Sequence, residues 1–223
     1  MEVNADFSKR AVVHAAKLPW VPSPMAGVER RMLDRVGDEV ARATSIVRYA
    51  PGSHFSAHTH GGGEEFLVLD GVFQDEHGDY PAGWYIRNPP TSSHTPGSAS
   101  GCTIFVKLWQ FDPADRIQVR LDTRKMSFAP RFQGVEALPL YQDRHEAVRL
   151  ERWMPGAEVD IAVRDGLELL VLDGDLTEGG ETFTPHSWLR LPNGTRLHGK
   201  AGPTGCRVWV KSGHLAHIQV AAA

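Results

Sequence analysis

Residues 52–71 read GSHFSAHTHGGGEEFLVLDG and carry side chains that could hold a metal ion. His58 and His60 are two apart, so on an extended strand both imidazoles point to one face. Glu64 follows Gly61-Gly62-Gly63. Glycines accept positive φ at little cost, so this turn can swing the carboxylate back to the same site. The fourth candidate, His94, lies some thirty residues further on, after a second stretch rich in glycine and proline. Three neutral imidazoles and a carboxylate form a compact N3O donor set for one divalent cation. Such a set leaves one or two positions open for water or a ligand, as in catalytic metal sites.

The elements that must position these donors read as mostly strand. Runs such as TSIVRY, FLVLDG, TIFVKLW, LELLVLDG and RVWVKSG are rich in branched and aromatic residues, and Gly, Pro, Asp and Ser clusters separate them. That spacing predicts a β-sandwich or barrel. Helical periodicity is weak and is confined to Val28–Val40, read as a short helical or turn segment. Phe66 and Val68 share the parity of Glu64 and are expected beneath the donors, keeping their surroundings apolar.

The chain repeats itself at a period of roughly 100 residues. EFLVLDG at 65–71 returns as ELLVLDG at 168–174, and GCTIFVK at 101–107 returns as GCRVWVK at 205–211. His94 precedes Cys102 by eight positions, and His198 precedes Cys206 by eight. Gly27-Val28-Glu29 recurs as Gly134-Val135-Glu136, and Ala50-Pro51-Gly52 as Met154-Pro155-Gly156. Ordered matches of this kind imply two copies of one domain, 1–115 and 116–223, with the join near Asp112 to Arg124. Aligning Gly156 with Gly52 puts Ala162 and Arg164 where the paired histidines stand, and Leu167 takes the place of Glu64. Only His198 survives, so the second domain is expected to lack a metal site and to be filled by apolar side chains.

At this point the chain resembles the cupin superfamily. The first cupin motif is Gly, five residues, His-x-His, three or four residues, Glu, six residues, Gly; Gly52, His58, His60, Glu64 and Gly71 fit it at every spacing. The same spacing favours Glu64 over Glu65 as the ligand. In the second motif Gly83, Pro89 and His94 fit, while Thr91 replaces its central Gly and Ser98 its final Asn. The resemblance implies an all-β fold of two tandem cupin barrels (jelly rolls, or double-stranded β-helices) from an internal duplication. Within cupins, HTHGGGEEFLVLDGVFQDEHGDYPAGWYIRNPPTSSHTP and GCTIFVKLW are most similar to the cupin-like C-terminal domain of the anti-sigma factor ChrR. That family binds zinc through two histidines, a glutamate and a later histidine, roles that fall here on His58, His60, Glu64 and His94. One zinc per chain is therefore expected; iron, manganese and nickel also accept such donors. The anti-sigma factor binds its sigma factor through an N-terminal helical zinc domain with a Cys-x-x-Cys. This chain has no Cys-x-x-Cys, and inhibition of a sigma factor by that route is not expected.

Two functions follow from the resemblance. One is a metal-binding module in stress-responsive transcription regulation or small-molecule sensing. The other is a cupin metalloenzyme, for example a dioxygenase of β-diketone-like or small aromatic substrates. A small molecule at the open metal position is the expected partner in both, and exposed barrel edges, which tend to pair or be covered, suggest a homodimer. No general base besides the ligands stands out, so no catalytic residue is assigned.

The net charge of −3 and the absence of a basic run argue against nucleic acid. No run approaches the roughly 20 apolar residues of a membrane span, and the start has no signal-peptide core, so a cytoplasmic location is expected. Cys102 and Cys206 read as small buried hydrophobes. His77 reads as solvated, His54 as a residue of the pocket rim or of the surface, and His14, His145, His186, His214 and His217 as surface residues. Arg87 recurs as Arg190, which suggests a structural ion pair. Trp84, Tyr85 and Trp109 read as packing residues or as pocket lining.

Overall fold

The structure is a computed structural model that describes residues 1–38 and 40–218. All regular structure among them is strand apart from three single 3-10 turns at Ala15–Lys17, Thr123–Lys125 and His214–Ala216. Among the described residues no helix is long and apolar enough to cross a membrane. Contacts divide the chain into two compact units. One comprises Met1–Ala5 and Leu18–Lys125, and the other Asp6–Lys17 and Met126–Ile218. The N-terminal segment Asp6–Lys17 thus belongs with the second unit, where Ala11–His14 adds to the sheet edge at Ser187–Leu191.

Each unit has its own antiparallel sheet, and the two share an order of neighbours. In the first, Val28–Gly37 pairs with Ala41–Tyr49, then Cys102–Leu108, Glu64–Asp75 and Trp84–Asn88. In the second, Val135–Gln142 pairs with Ala147–Trp153, then Arg196–Ser212, Leu167–Glu178 and Ser187–Leu191. Val28–Gly37, read from the sequence as a helical or turn segment, is a strand. Its charged residues hide the alternation, and a register shift between Met32 and Asp34 breaks the parity of the pairing with Ala41–Tyr49.

Period-two alternation makes two layers of opposite character on the strand Glu64–Asp75. Its inward residues Phe66 and Val68 lie opposite Val106 and Ile104, and with Phe73, Ile86 and Tyr49 they form the core of the first unit. Its outward residue Glu65 lies between Lys107 on one neighbour and Arg87 on the other. Glu168 of the second unit lies in the same way between Lys211 and Arg190. All six of these charged side chains are buried.

Burying charge is tolerable only where every group is paired. Lys107 donates to Thr44 Oγ1 at 2.9 Å, and Tyr85 donates its hydroxyl proton to Glu65 at 2.6 Å. Arg87 lies 2.6 Å from the Asp115 carboxylate and over the Phe111 ring. The ion pair read for Arg87 is therefore present, and its partner comes from a loop. In the second unit Lys211 is 2.8 Å from Glu146, and Glu168 takes the indole N–H of Trp188 at 3.2 Å. Glu168 also holds His214 Nε2 at 2.7 Å. His214 is therefore buried, not a surface residue: its partner lies far away in the sequence and leaves no local signal.

The apolar core of the second unit includes Trp153, Val159, Val163, Leu167, Leu169 and Val171. Both cysteines are free and buried. Burial pushes the Cys102 thiol up to about 11 and the Cys206 thiol up to about 12.

Removing one member of the buried charge row leaves the others uncompensated. Glu65→Ala is expected to cost about 3–5 kcal/mol. The check is the shift of the urea unfolding midpoint, set against Glu29→Ala, an exposed carboxylate paired with Arg48 that should cost under about 1 kcal/mol.

Candidate metal centre

Three short pieces of backbone converge at one end of the first unit. His58–Thr59 pairs antiparallel with Ser93–His94, so that His58 lies opposite His94. The His60 amide donates to Ser92 O at 2.9 Å, and the Thr91 amide donates to His60 O at 2.9 Å. These bonds fix the spacing of all three histidines. Thr91, at the place of the motif's central glycine, keeps a positive φ of 75° despite its branched Cβ, a conformation costly for such a residue. The turn that glycine normally makes is retained here at some strain.

The glycine turn before Glu64 has a second reason beyond conformational freedom. A Cβ on Gly62 would lie 2.3 Å from the Trp109 ring, and one on Gly63 would lie 2.4 Å from the Phe111 ring. Trp109 and Phe111 also bind this turn through their amides, donating to Gly63 O and Gly62 O. Trp109 therefore packs on the backbone next to Glu64. Trp84 packs edge-on to Tyr80 at 5.2 Å, and Tyr85 bonds Glu65; all three act by packing.

The ring nitrogens of His58, His60 and His94 come within 4.8 Å of one another, a cluster that can hold a metal ion. The rings meet at 66–82°, aimed at a common point instead of stacked. Glu64 Oε2 lies 3.6 Å from His60 Nε2 and 3.4 Å from His94 Nε2. Both contacts are long for a hydrogen bond, and both nitrogens are buried with no hydrogen-bond partner. Donors held about 2.1 Å from a tetrahedral cation lie about 3.4 Å apart. Unpartnered buried nitrogens at that separation fit a cation better than they fit one another.

The other ring nitrogens explain the tautomers. His58 Nδ1 lies 3.0 Å from Ser56 O, and a carbonyl only accepts, so Nδ1 carries the proton and Nε2 the lone pair. His94 Nδ1 faces Asp75 Oδ2 at 3.4 Å. Asn88 donates to Glu64 Oε2 at 3.1 Å, and Gln118 donates to Asn88 at 3.3 Å. Burial lowers the pKa of His60, against the opposing charge of Glu64, which favours the neutral ligand form. His94 goes the other way. Burial alone would lower it, but the bond to Asp75 and the charge of Glu64 raise it above the ordinary value.

Asp75 and Asn88, which contact His94 and Glu64, were missed by the sequence reading. Asn88 stands directly before the Pro of the second motif, which was the available signal; Asp75 had none. Glu65 points to the opposite face and is no competitor for Glu64. His77 is exposed, and His54 is exposed on an edge strand beside Gly97.

In the second unit the counterpart row is refitted. Glu64 pairs with Asn88 and Leu108, whereas Leu167 pairs with Leu191 and Ser212. A carboxylate and its amide partner are thus replaced by two leucines. His198 lies opposite Asp160, 63% exposed, while Ala162 and Arg164 are exposed. Nothing there converges.

A cavity of about 740 Å³ adjoins the histidines in the first unit, with His58 in its wall and apolar sides from Val28, Val47, Phe55, Val106 and Leu108. The fold is that of the cupin proteins. Residues 8–112 match the family described as the ChrR cupin-like domain. Among curated proteins no sequence match was found.

Solved structures give the same fold. A proposed dioxygenase from Nostoc punctiforme has a TM-score of 0.77 at 14% identity, covering 97% of this chain and 87% of its own. Protein Ylba from E. coli has a TM-score of 0.71 at 13% identity, covering 93% and 92%. The bacterial pirin YhhW from E. coli, in complex with nickel(II), has a TM-score of 0.65 at 13% identity, covering 92% and 98%.

His60→Ala is expected to abolish most metal binding, and His198→Ala to leave it unchanged. Asp75→Asn, which removes the charge behind His94, should weaken metal affinity about 10–100-fold. Competition with a colorimetric chelator at neutral pH measures all three.

Proposed function

We propose that His58, His60, Glu64 and His94 hold one divalent cation, and that the chain uses it to bind and transform a small organic molecule. The observation that carries this reading is the cavity: His58 belongs both to the histidine cluster and to the wall of an apolar space of about 740 Å³. On a five- or six-coordinate cation four protein donors leave a position open, and a cavity of this size suits a small ligand. When bound, the cation supplies Lewis acidity, or with iron the capacity to bring O2 and substrate together.

The residues of the chain do the rest. Ser56 O and Asp75 hold the rings of His58 and His94 in the ligating orientation. Asn88 orients Glu64, while Phe66 and Phe73 keep the floor apolar; Phe73 lies 6.0 Å from the His94 ring. Oxidative cleavage of a β-diketone-like or small aromatic substrate is the reaction class favoured, in keeping with the description of the Nostoc punctiforme neighbour. Zinc is the ion that the ChrR resemblance suggests, iron the one that this reaction requires, and nickel the one carried by the pirin neighbour.

A second reading rests on the family match to the ChrR cupin-like domain. In it the same open position senses a small oxidised molecule, and the domain passes the change to a transcription regulator.

One experiment separates the two. Protein purified without added metal is subjected to elemental analysis, then loaded with iron and screened for oxygen uptake against small diketones and phenols. One metal per chain together with substrate-dependent uptake supports the enzyme. One metal per chain with uptake at background leaves the sensor, and no metal in any preparation removes both.

A further inference from the structure

The cavity beside the histidines is apolar on most of its wall but carries a pair of guanidinium groups. Arg30 lies on the strand Val28–Gly37, two residues after Val28, and both side chains line the cavity. Arg31, the next residue along the strand, points the other way and lies over the Trp20 ring. The Arg30 guanidinium has no hydrogen-bond or ion-pair partner among the described residues, and its Nε is buried. Leaving a buried donor of a charged group unsatisfied is costly, so an acceptor from water, an ion or a ligand is called for.

Arg35 lines the same cavity and is buried. It spends its donors on backbone carbonyls, Gly37 O at 3.2 Å through Nε and Asp38 O through Nη2. Burial and the neighbouring charge of Arg30 hold its pKa below the ordinary value. The one carboxylate among the described lining residues, Asp38, is 89% exposed and turned to the Met1 amino group at 2.6 Å. Water screens most of its charge. The cavity therefore has one uncommitted cation, a second cation beside it and an apolar remainder.

We propose that this cavity binds the carboxylate of a small organic acid, with Arg30 as the residue that grips it and the apolar body lying along Val47, Val106 and Leu108 towards His58. A guanidinium offers a planar pair of donors that matches a carboxylate bidentately. A monoanion fits better than a phosphate, since Arg30 is the one uncommitted cation among the described lining residues and most of the surface is apolar. The inference rests on the preceding reading only for what happens at the far end of the ligand. Anchored at Arg30, an acid would present its other end to the open metal position, which makes Arg30 a specificity-determining residue.

The test uses hexanoate and its neutral isostere hexanamide as probes, with titration calorimetry on the full chain. Four samples are compared: wild type as loaded with metal, wild type stripped by chelator, Arg30→Gln and Arg30→Lys. Hexanoate is expected to bind wild type with a Kd on the order of 1 mM or tighter. Hexanamide and the Arg30→Gln variant should each lose about tenfold or more, as befits a charge-assisted hydrogen bond. Arg30→Lys keeps the charge without the fork and should fall between. Stripping the metal should change the hexanoate Kd by much less than tenfold.

Equal affinity for acid and amide overturns the proposal, as does an unchanged Kd in Arg30→Gln or the absence of any hexanoate binding. Loss of hexanoate binding on stripping, with Arg30→Gln unaffected, overturns it too, because the carboxylate would then sit on the metal. Metal content measured on the same samples decides the metal centre separately. If Arg30→Gln does not fold, the acid–amide comparison and Arg30→Lys still decide between gripping and its absence.

Discussion

The register of the strand Glu64–Asp75 against its two neighbours is the constraint from which the rest of the first unit follows. Two adjacent glutamates begin it and point to opposite faces. Glu64 enters the barrel between Asn88 and Leu108, and Glu65 enters a buried row between Arg87 and Lys107. A slip of one residue would exchange the two, sending the candidate ligand into the charge row and stranding a guanidinium and an ammonium without their anion. The charge row costs desolvation energy, but only one alignment satisfies it. That alignment is also the one that delivers a carboxylate to the histidines.

Around the histidines the chain builds unequal donors from equal residues. His60 is kept neutral chiefly by burial, His58 is held by a backbone carbonyl, and His94 is backed by a carboxylate. The proposed centre thus has a basic donor on the Asp75 side and an accessible one on the cavity side. Short backbone bonds, not long side-chain networks, set the spacing between the three. This is why a positive φ is retained at Thr91: the turn has to place His94 and return an amide to His60 at once.

Much of this was legible in the sequence because it is local. The alternation of FLVLDG and TIFVKLW announced strands, His-x-His announced a shared face, and the repeated EFLVLDG and GCTIFVK announced two units with one order of strands. The unread features are those in which distant residues meet. Val28–Gly37 looked helical because Arg30, Arg31, Asp34 and Arg35 sit on a strand whose pairing shifts register between Met32 and Asp34, which breaks the period of two. His214 looked like a surface residue because Glu168, its buried partner, is 46 positions away. Asp75 ends its strand at a polar turn, and only the fold brings it behind His94. The arginines of the cavity wall had no motif to mark them; charge on a strand reads as solvent-facing until its neighbours are known.

The two leucines that stand in the second unit where the first has Glu64 and Asn88 have a practical consequence. Both units keep the outer row of arginine, glutamate and lysine, so the inner face alone distinguishes a donor-bearing barrel from an oily one. Every molecule therefore carries its own blank. In a single sample, amide exchange around Trp109 can be referenced to amide exchange around Trp153, Trp188 and Trp209. Whatever an added ion or acid does to the first barrel can be separated from general effects of the solution by looking at the second.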